Sequence, residues 1–304
     1  MNVNFKPSIV ELAKTYWTDD RLKKLCNGKK FILTPLNAAQ LLCELEILNK
    51  DASISHDAVR KLIQINHLAL QVTNLLADLN TRFEKPTIID FGCGKGYLTF
   101  LLAWLYEFEF KKPVNLIGID IEPKRIAKIQ KIAETLNLKN PISFQQSAID
   151  TFVPPERTHA VFALHACDIA SDQALGFCIA NNVDLFAVAP CCQLELSRQW
   201  KKMAEDKVEH PLAPVFHSPQ LRKDIAAEMT DALRMEGMRA CGYEVTVSEF
   251  VNAEHTPKNR LITGIRRGLY YVEAHRKYAN LNDYLGGASI HLDQAVTLSK
   301  QVIP

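Results

Sequence analysis

The spacing of apolar residues along the chain changes near residue 85. Before that point, apolar residues recur every three or four positions over residues 37–50 and 56–83, a pattern typical of amphipathic helices. Ser55 or Asp57 stands where the second helix begins, and both residue types cap helix N-termini. The first part of the chain is therefore predicted to be helical.

After residue 85, short apolar runs alternate with helical segments. This alternation predicts βαβ units and a parallel sheet. The predicted strands are residues 87–91, 114–120, 142–146, 159–164, 183–189, 243–251 and 259–267. Only seven residues separate the last two strands, so we expect these two to pair in antiparallel fashion.

The chain is expected to have three parts. Residues 1–84 form an N-terminal helical domain, residues 85–268 an α/β domain, and residues 269–304 a C-terminal helical tail. Gly286 and Gly287 interrupt the helical pattern of the tail, because glycine disfavours helix interiors.

The composition is that of a globular protein. The chain has 304 residues, 47% of them apolar, which supports a sizeable core. Eight cysteines and a start without an apolar leader favour a reducing cytoplasm. The longest apolar window, Leu98–Tyr106, is far shorter than the roughly 20 residues that span a bilayer, so we expect no membrane partner. The net charge of +2 is too small to identify a polyanion partner.

A glycine-rich turn follows the first predicted strand, with the pattern Asp90-x-Gly92-x-Gly94-x-Gly96. Glycines at these places allow a tight turn and a close approach of the backbone to a ligand, and the helix that follows offers free N–H groups. Tyr97 occupies the position where a dinucleotide fingerprint needs glycine, and Gly96 the position where a P-loop needs Ser or Thr. Both of those phosphate sites are excluded.

The second predicted strand ends in Asp120. A carboxylate at the carboxyl end of that strand can accept hydrogen bonds from both hydroxyls of a ribose. The glycine-rich turn and Asp120 together therefore predict a nucleoside-containing ligand.

The turn resembles motif I of the class I methyltransferases that use S-adenosyl-L-methionine (SAM). This resemblance implies a Rossmann-like sheet of seven strands with the last one antiparallel, and SAM as the cofactor. It implies that Asp90 and the three glycines surround the methionine part and that Asp120 holds the ribose. It places the end of the third strand, Ser147, Ala148 and Ile149, against the adenine.

A second pattern, H-x-C-x-x-A-S/T-D, begins at His165 and ends at Asp172, and the pair Cys191–Cys192 follows the fifth strand. Together these resemble a broad methyltransferase family that includes the eukaryotic tRNA acceptor-stem ribose methyltransferase. The stretch is similar in that enzyme, H-L-C-G-x-A-T-D, with glycine where this chain has Asp168. The resemblance covers about residues 86–267 and implies RNA, either tRNA or rRNA, as substrate.

Several interpretations of these reactive residues remain open. His165 or Asp168 could orient the acceptor and take its proton, or Cys191 or Cys192 could act as a nucleophile. Zinc binding by these two cysteines with His165 and Cys167 is disfavoured, because adjacent cysteines rarely reach one ion and a C-x-x-C spacing is missing, so no metal is predicted. The cysteines could also simply be small buried residues of the pocket floor.

The segment between the last two strands contains Lys258 and Asn259. In the implied sheet it lies on the same edge as the cofactor, where Lys258 and Asn259 could hold a substrate phosphate or an acceptor base. A turn imposed by Pro257 is the simpler alternative.

These observations predict a cytoplasmic SAM-dependent methyltransferase that acts on RNA by in-line methyl transfer to a positioned acceptor. The N-terminal helical domain is expected to form part of the substrate cleft. Two alternatives remain: a methyltransferase with a protein or small-molecule acceptor, and a SAM-binding regulatory protein without transfer activity.

Overall fold

The structure is a computed structural model, which describes residues 7–164, 166, 168–190, 192–249, 260–268 and 271–300. The chain divides into two compact units. The first unit comprises Met1–Lys85, Lys95–Leu116 and Lys124–Ser143; the second comprises Pro86–Gly94, Ile117–Pro123 and Phe144–Pro304.

Helices and strands alternate along the second half of the chain, whereas the first 85 residues are helical. The helices are α1 (Ile9–Tyr16), α2 (Asp19–Cys26), α3 (Ala39–Glu44), α4 (His56–Arg82), α5 (Tyr97–Trp104), α6 (Pro123–Leu136), α7 (Ile169–Ala180), α8 (Glu195–Glu205), α9 (Ala213–His217), α10 (Pro219–Ala240), α11 (Val272–Tyr284) and α12 (Asp293–Lys300). A π-helical turn, Leu105–Glu109, continues α5. The strands are β1 (Thr87–Phe91), β2 (Asn115–Asp120), β3 (Ile142–Gln146), β4 (Ala160–Ala163), β5 (Leu185–Val188), β6 (Tyr243–Glu249) and β7 (Arg260–Arg266).

The first unit is built around the long helix α4. Ser55, one of the two predicted caps, caps this helix by accepting a hydrogen bond from Ala58 N. Leu62, Ala69 and Leu76 are fully buried at a spacing of seven residues, which places them on one face of the helix. On the same helix, the buried amide of Asn66 accepts hydrogen bonds from the backbone N–H groups of residues 32 and 33 at 2.7 and 2.8 Å. This amide ties the preceding loop to α4.

The helix predicted over residues 37–50 is shorter in the structure, where α3 ends at Glu44. Glu46 has φ +57°, which no α-helix accommodates. The N–H groups of Ile47 and Leu48 instead both donate to Leu42 O at 2.9 Å. Apolar residues at helical spacing are thus buried here by turns, and the predicted helix length was wrong.

The sheet has seven strands in the order β3-β2-β1-β4-β5-β7-β6. β4 pairs in parallel with β1 and β5, whereas β7 pairs antiparallel with both β5 and β6. β1, β4 and β5 are buried along their whole length, as expected for strands covered on both faces. The predicted Rossmann-like class I methyltransferase sheet, with seven strands and an antiparallel last strand, is confirmed.

The C-terminal segment packs on the second unit. Gly286 and Gly287 adopt φ +83° and +70° between α11 and α12, at the predicted interruption. The buried indole of Trp200, on α8, donates to Leu285 O at 3.1 Å, and Glu195 accepts a hydrogen bond from His291 N at 3.0 Å. These bonds fasten residues 285–291 to α8.

None of the helices in the described part of the chain is both long and apolar enough to cross a membrane.

Gly264 provides a test of the sheet packing. It pairs with Phe186 across β5 and β7, and a Cβ at position 264 would lie 2.2 Å from the fully buried ring. We expect Gly264→Ala to destabilise the fold by about 1–3 kcal/mol through overpacking. Urea denaturation measures this loss. Gly268→Ala is the control, because a Cβ there has no neighbour within 4 Å, and equal stability of the two variants would contradict the packing.

Candidate active site

The three glycines after β1 have backbones that other residues rarely adopt. Their φ angles are +68° at Gly92, +57° at Gly94 and +75° at Gly96, all in the left-handed region. A Cβ at Gly96 would also lie 2.7 Å from the ring of Phe100. The turn therefore requires glycine, and Gly96 leads directly into α5.

Asp120 faces this turn from the end of β2. One carboxylate oxygen accepts a hydrogen bond from Gly94 N at 2.9 Å, and the other accepts from Glu122 N at 2.9 Å. The side chain is 5% exposed, so its position is well defined by these bonds. Asp90, also buried, is the last residue but one of β1 and pairs with Phe162 of β4.

The end of β3 meets the end of β2 at the same place. Ser147 N donates to Asp120 O at 3.2 Å, and the Ser147 hydroxyl donates to Ala148 O at 2.9 Å. Ile149 packs on the core, whereas Ala148 is exposed. The structure therefore brings Ser147, but not the side chain of Ile149, to the Asp120 backbone.

Ile121 is a site residue that the sequence reasoning missed. Its side chain is 69% exposed although it is large and apolar, and it directly follows Asp120. An apolar side chain beside Asp120, the carboxylate predicted to hold a ribose, suits the flat face of a base. The sequence did contain a signal for this residue, namely an isoleucine directly after the aspartate that ends β2.

Residues that fit SAM thus converge at one edge of the second unit. A nucleoside needs acceptors for its hydroxyls, an apolar contact for its base and a backbone that admits close approach. Asp120, Ile121 and the turn at Gly92 and Gly94 provide these three features.

Asp168 lies on the turn between β4 and α7 in an unusual conformation. Its φ and ψ are +54° and −122°, a combination that favours glycine and costs about 1–3 kcal/mol for other residues.

The carboxylate of Asp168 compensates for this conformation. It accepts hydrogen bonds from Leu194 N at 2.9 Å and from the Arg198 guanidinium at 3.4 Å, and its side chain is 20% exposed. Its backbone N–H donates to Cys192 O at 2.9 Å. Asp168 therefore fastens the turn after β4 to the turn after β5, and its role as a proton acceptor stays a prediction.

Several predicted site residues lie outside the described residues. These are His165, Cys167, Cys191, Lys258 and Asn259. Among the described residues no group of His, Cys, Asp and Glu side chains is arranged to hold a metal ion.

The described cysteines differ sharply in exposure. Cys192 is exposed, whereas Cys93, Cys178 and Cys241 are buried. Burial raises the pKa of the Cys178 and Cys241 thiols above the ordinary value. These two fit the interpretation as small buried residues, whereas Cys192 remains a candidate for chemistry.

A buried arginine under the two turns was also missed. The guanidinium of Arg234, 0% exposed, donates to both carboxylate oxygens of Asp172 at 2.9 and 2.8 Å. It also donates to the backbone carbonyl of Asp168 at 3.0 Å. The signal was present, because Arg234 and Asp231 stand at buried positions of α10, where a helix normally carries apolar residues.

Comparison with known proteins agrees with the fold. A family model described as a methyltransferase domain matches residues 60–199.

The chain is also similar to curated proteins of animals. The human glutathione S-transferase C-terminal domain-containing protein is 28% identical over 238 residues, which cover 71% of this chain and 35% of the human protein. The Xenopus laevis protein is 35% identical over 141 residues, 45% of this chain and 20% of that protein. The matched region thus spans about a third or less of these relatives.

Solved methyltransferase structures are more distantly similar. An SAH-bound Podospora anserina methyltransferase is 8% identical, with a TM-score of 0.45, over 82% of this chain and 95% of that one. The SAH-bound magnesium protoporphyrin IX methyltransferase of Synechocystis is 16% identical, with a TM-score of 0.44, over 77% of this chain and 97% of that one. At these values the fold assignment rests on the observed strand order rather than on these structures.

The family-model match and the strand order agree. Both indicate the Rossmann-like class I methyltransferase fold, for which SAM is the expected cofactor.

Replacement of Asp120 tests the cofactor site. We expect Asp120→Ala to weaken SAM binding at least about tenfold, because charge-assisted hydrogen bonds contribute roughly 1.5–3 kcal/mol each. Isothermal titration with SAM measures this. Asp150→Ala, at an exposed position, is the control, and equal affinity of the two variants would remove Asp120 from the site.

Thiol labelling tests the assignment of the cysteines. In the native protein we expect a maleimide to modify Cys192 faster than Cys93, Cys178 and Cys241, because only the exposed thiol is accessible. Peptide mass spectrometry resolves the sites. Equally fast labelling of Cys178, which is fully buried, would show that this part of the core opens.

Proposed function

We propose that the protein transfers the methyl group of SAM to RNA, with tRNA and rRNA as the substrate classes. The pattern from His165 to Asp172 with its cysteine pair supports this choice by resemblance. The observation that carries it is the distribution of charge between the two units.

The net charge of +2 conceals a strong asymmetry. The first unit has 20 lysines and arginines against 12 aspartates and glutamates, a net charge of +8. The second has 16 against 22, a net charge of −6. A compact unit of net charge +8 attracts a phosphate backbone, whereas the average over the whole chain gave no such indication.

The basic side chains of the first unit lie at its surface. Lys23 and Lys24 are exposed in the last turn of α2, and Lys124, Lys128 and Lys131 are exposed along α6. Exposed lysines contact phosphates with little cost of desolvation. We assign RNA binding to the first unit and methyl transfer to the site of the second.

The proposed reaction depends mainly on positioning. SAM supplies an activated methyl group on a sulfonium, so the protein must align the acceptor with that methyl group and exclude water. Asp120 would hold the ribose through its carboxylate, and the glycine-rich turn would admit the methionine part. His165 or Asp168 would take the proton of the acceptor.

A covalent route through a cysteine is the second mechanism. Cys192 is exposed and its backbone is bonded to Asp168, so it lies at the turn where an acceptor would arrive. Cys191→Ser and Cys192→Ser would each leave turnover nearly intact under the positioning mechanism, whereas one of them would abolish it under the covalent mechanism.

A methyl-transfer experiment distinguishes RNA from other acceptors. Radiolabelled SAM is incubated with the protein and an RNA-containing extract, and the label is then challenged with ribonuclease or protease. We expect ribonuclease to release the label. Release by protease would indicate a protein acceptor, and no label despite SAM binding would favour a regulatory protein. The cytoplasmic location stays a prediction.

The role of the first unit is tested by reversing two of its charges. We expect Lys23→Glu with Lys24→Glu to weaken RNA binding about tenfold or more. The slope of the logarithm of the binding constant against the logarithm of salt concentration should fall by about two, because two phosphate contacts are lost. SAM affinity should not change. Lys201→Glu with Lys202→Glu, two exposed lysines of α8 in the second unit, is the matched control. Equal losses in the two double variants would contradict the assignment.

A further inference from the structure

Five polar residues, four of them buried, form a network in the second unit, under the two turns that follow β4 and β5. Its members, here called the Arg234 network, are Asp172, Gln193, Asp231, Arg234 and Arg260. Asp172, Asp231 and Arg234 are 1%, 3% and 0% exposed.

Asp231 is hydrogen-bonded to three other members of the network. It accepts hydrogen bonds from the Gln193 amide at 3.1 Å to each carboxylate oxygen. It also accepts from Arg234 and from Arg260, each at 3.2 Å. Arg260 forms a further ion pair with Glu228 at the surface. The network therefore extends from the turn after β5 to the start of β7.

The charges of the network stabilise one another. Burial opposes the charge of Arg234, but Asp172 and Asp231 hold the pKa of its guanidinium above the ordinary value. Burial raises the pKa of Asp231, although Arg234 acts in the opposite direction. A buried guanidinium between two carboxylates is costly to desolvate, and apolar side chains of similar volume often stabilise a core as well. The importance of the Arg234 network therefore depends on which parts of the backbone its bonds hold in place, because its net contribution to stability can be small.

Arg234 holds the backbone of the turn that carries Asp168. Its donation to the Asp168 carbonyl fixes the peptide that follows the strained φ of that residue. Through Asp231 it also holds Gln193, which directly follows Cys192. One helix, α10, thus fixes both turns, and these turns are bonded to each other through Asp168 N and Cys192 O.

We propose that Arg234 is a positioning residue for methyl transfer: with Asp231 and Asp172 it fixes the turns after β4 and β5 in the arrangement that receives the acceptor. This inference rests on the proposed transferase activity. The bonds of the network go to the turns after β4 and β5, so the expected effect is on the acceptor rather than on the cofactor.

Arg234→Lys tests this proposal, because lysine keeps the charge but cannot make the forked bonds to Asp172 and the Asp168 carbonyl together. Arg239→Lys is the matched control on the same helix, since Arg239 bonds Glu236 and Val245 O instead. The first readout is amide hydrogen exchange at Asp168 and Leu194, whose N–H groups bond across the two turns. The second is kcat and KM for RNA, with SAM affinity measured separately.

We expect Arg234→Lys to accelerate exchange at both amides and to lower kcat at least tenfold, with the SAM Kd within about twofold of wild type. The control should leave all three unchanged. The exchange readout needs no activity, so it remains decisive even if the wild-type protein proves inactive on RNA.

Two results would overturn the proposal. Unchanged exchange in Arg234→Lys would show that the network does not hold the turns, and faster exchange with an unchanged kcat would show that the turns need no such order. If Arg234→Lys fails to fold, Arg260→Gln replaces it, because the Arg260 side chain is 37% exposed and its loss still weakens Asp231. The same directions of change, with smaller magnitudes, are then expected.

Discussion

Parallel strand pairing is the constraint on which the candidate active site depends. Because β1, β4 and β5 run in the same direction, the turns that follow them lie at one edge of the sheet. This shared direction makes the glycine-rich turn, the Asp168 turn and the Cys192 turn neighbours. The antiparallel β7 then brings its first residue, Arg260, to that edge as well, because it runs against β5. Sheet direction thus assembles residues from positions 90 to 260 into one place.

The same edge uses two kinds of anchor. On the cofactor side the anchors are backbone features, namely left-handed glycines and N–H groups bonded to Asp120. At the turns after β4 and β5 they are buried charges, with Arg234 of α10 bonded to the Asp168 carbonyl.

Much of the fold could be predicted from the sequence. Strands such as Thr87–Phe91 are short apolar runs, and the Ser55 cap is a local feature, so both can be recognised from a few neighbouring residues. The failure at residues 37–50 has a tertiary cause, since Leu45 and Leu48 are buried whether the backbone is a helix or a series of turns. The spacing of apolar residues indicates burial, whereas the φ of Glu46 and the hydrogen bonds to Leu42 O show that the backbone is not helical there.

The candidate site was predictable where local chemistry defines it. Gly94 and Asp120 could be assigned to one site in advance, because Gly94 lies in a distinctive turn after β1 and Asp120 ends β2. Arg234 could be recognised as an unusual residue of its helix, but its partners could not, because Asp172 and Asp168 lie more than 60 residues away and no local pattern links them. Asp168 shows why such partners matter. Its backbone favours glycine, yet a glycine would lack the carboxylate that accepts Leu194 N. An aspartate is tolerated there because its side chain and the carbonyl held by Arg234 offset the conformational cost, and the same bonds join the two turns on which an acceptor would be placed.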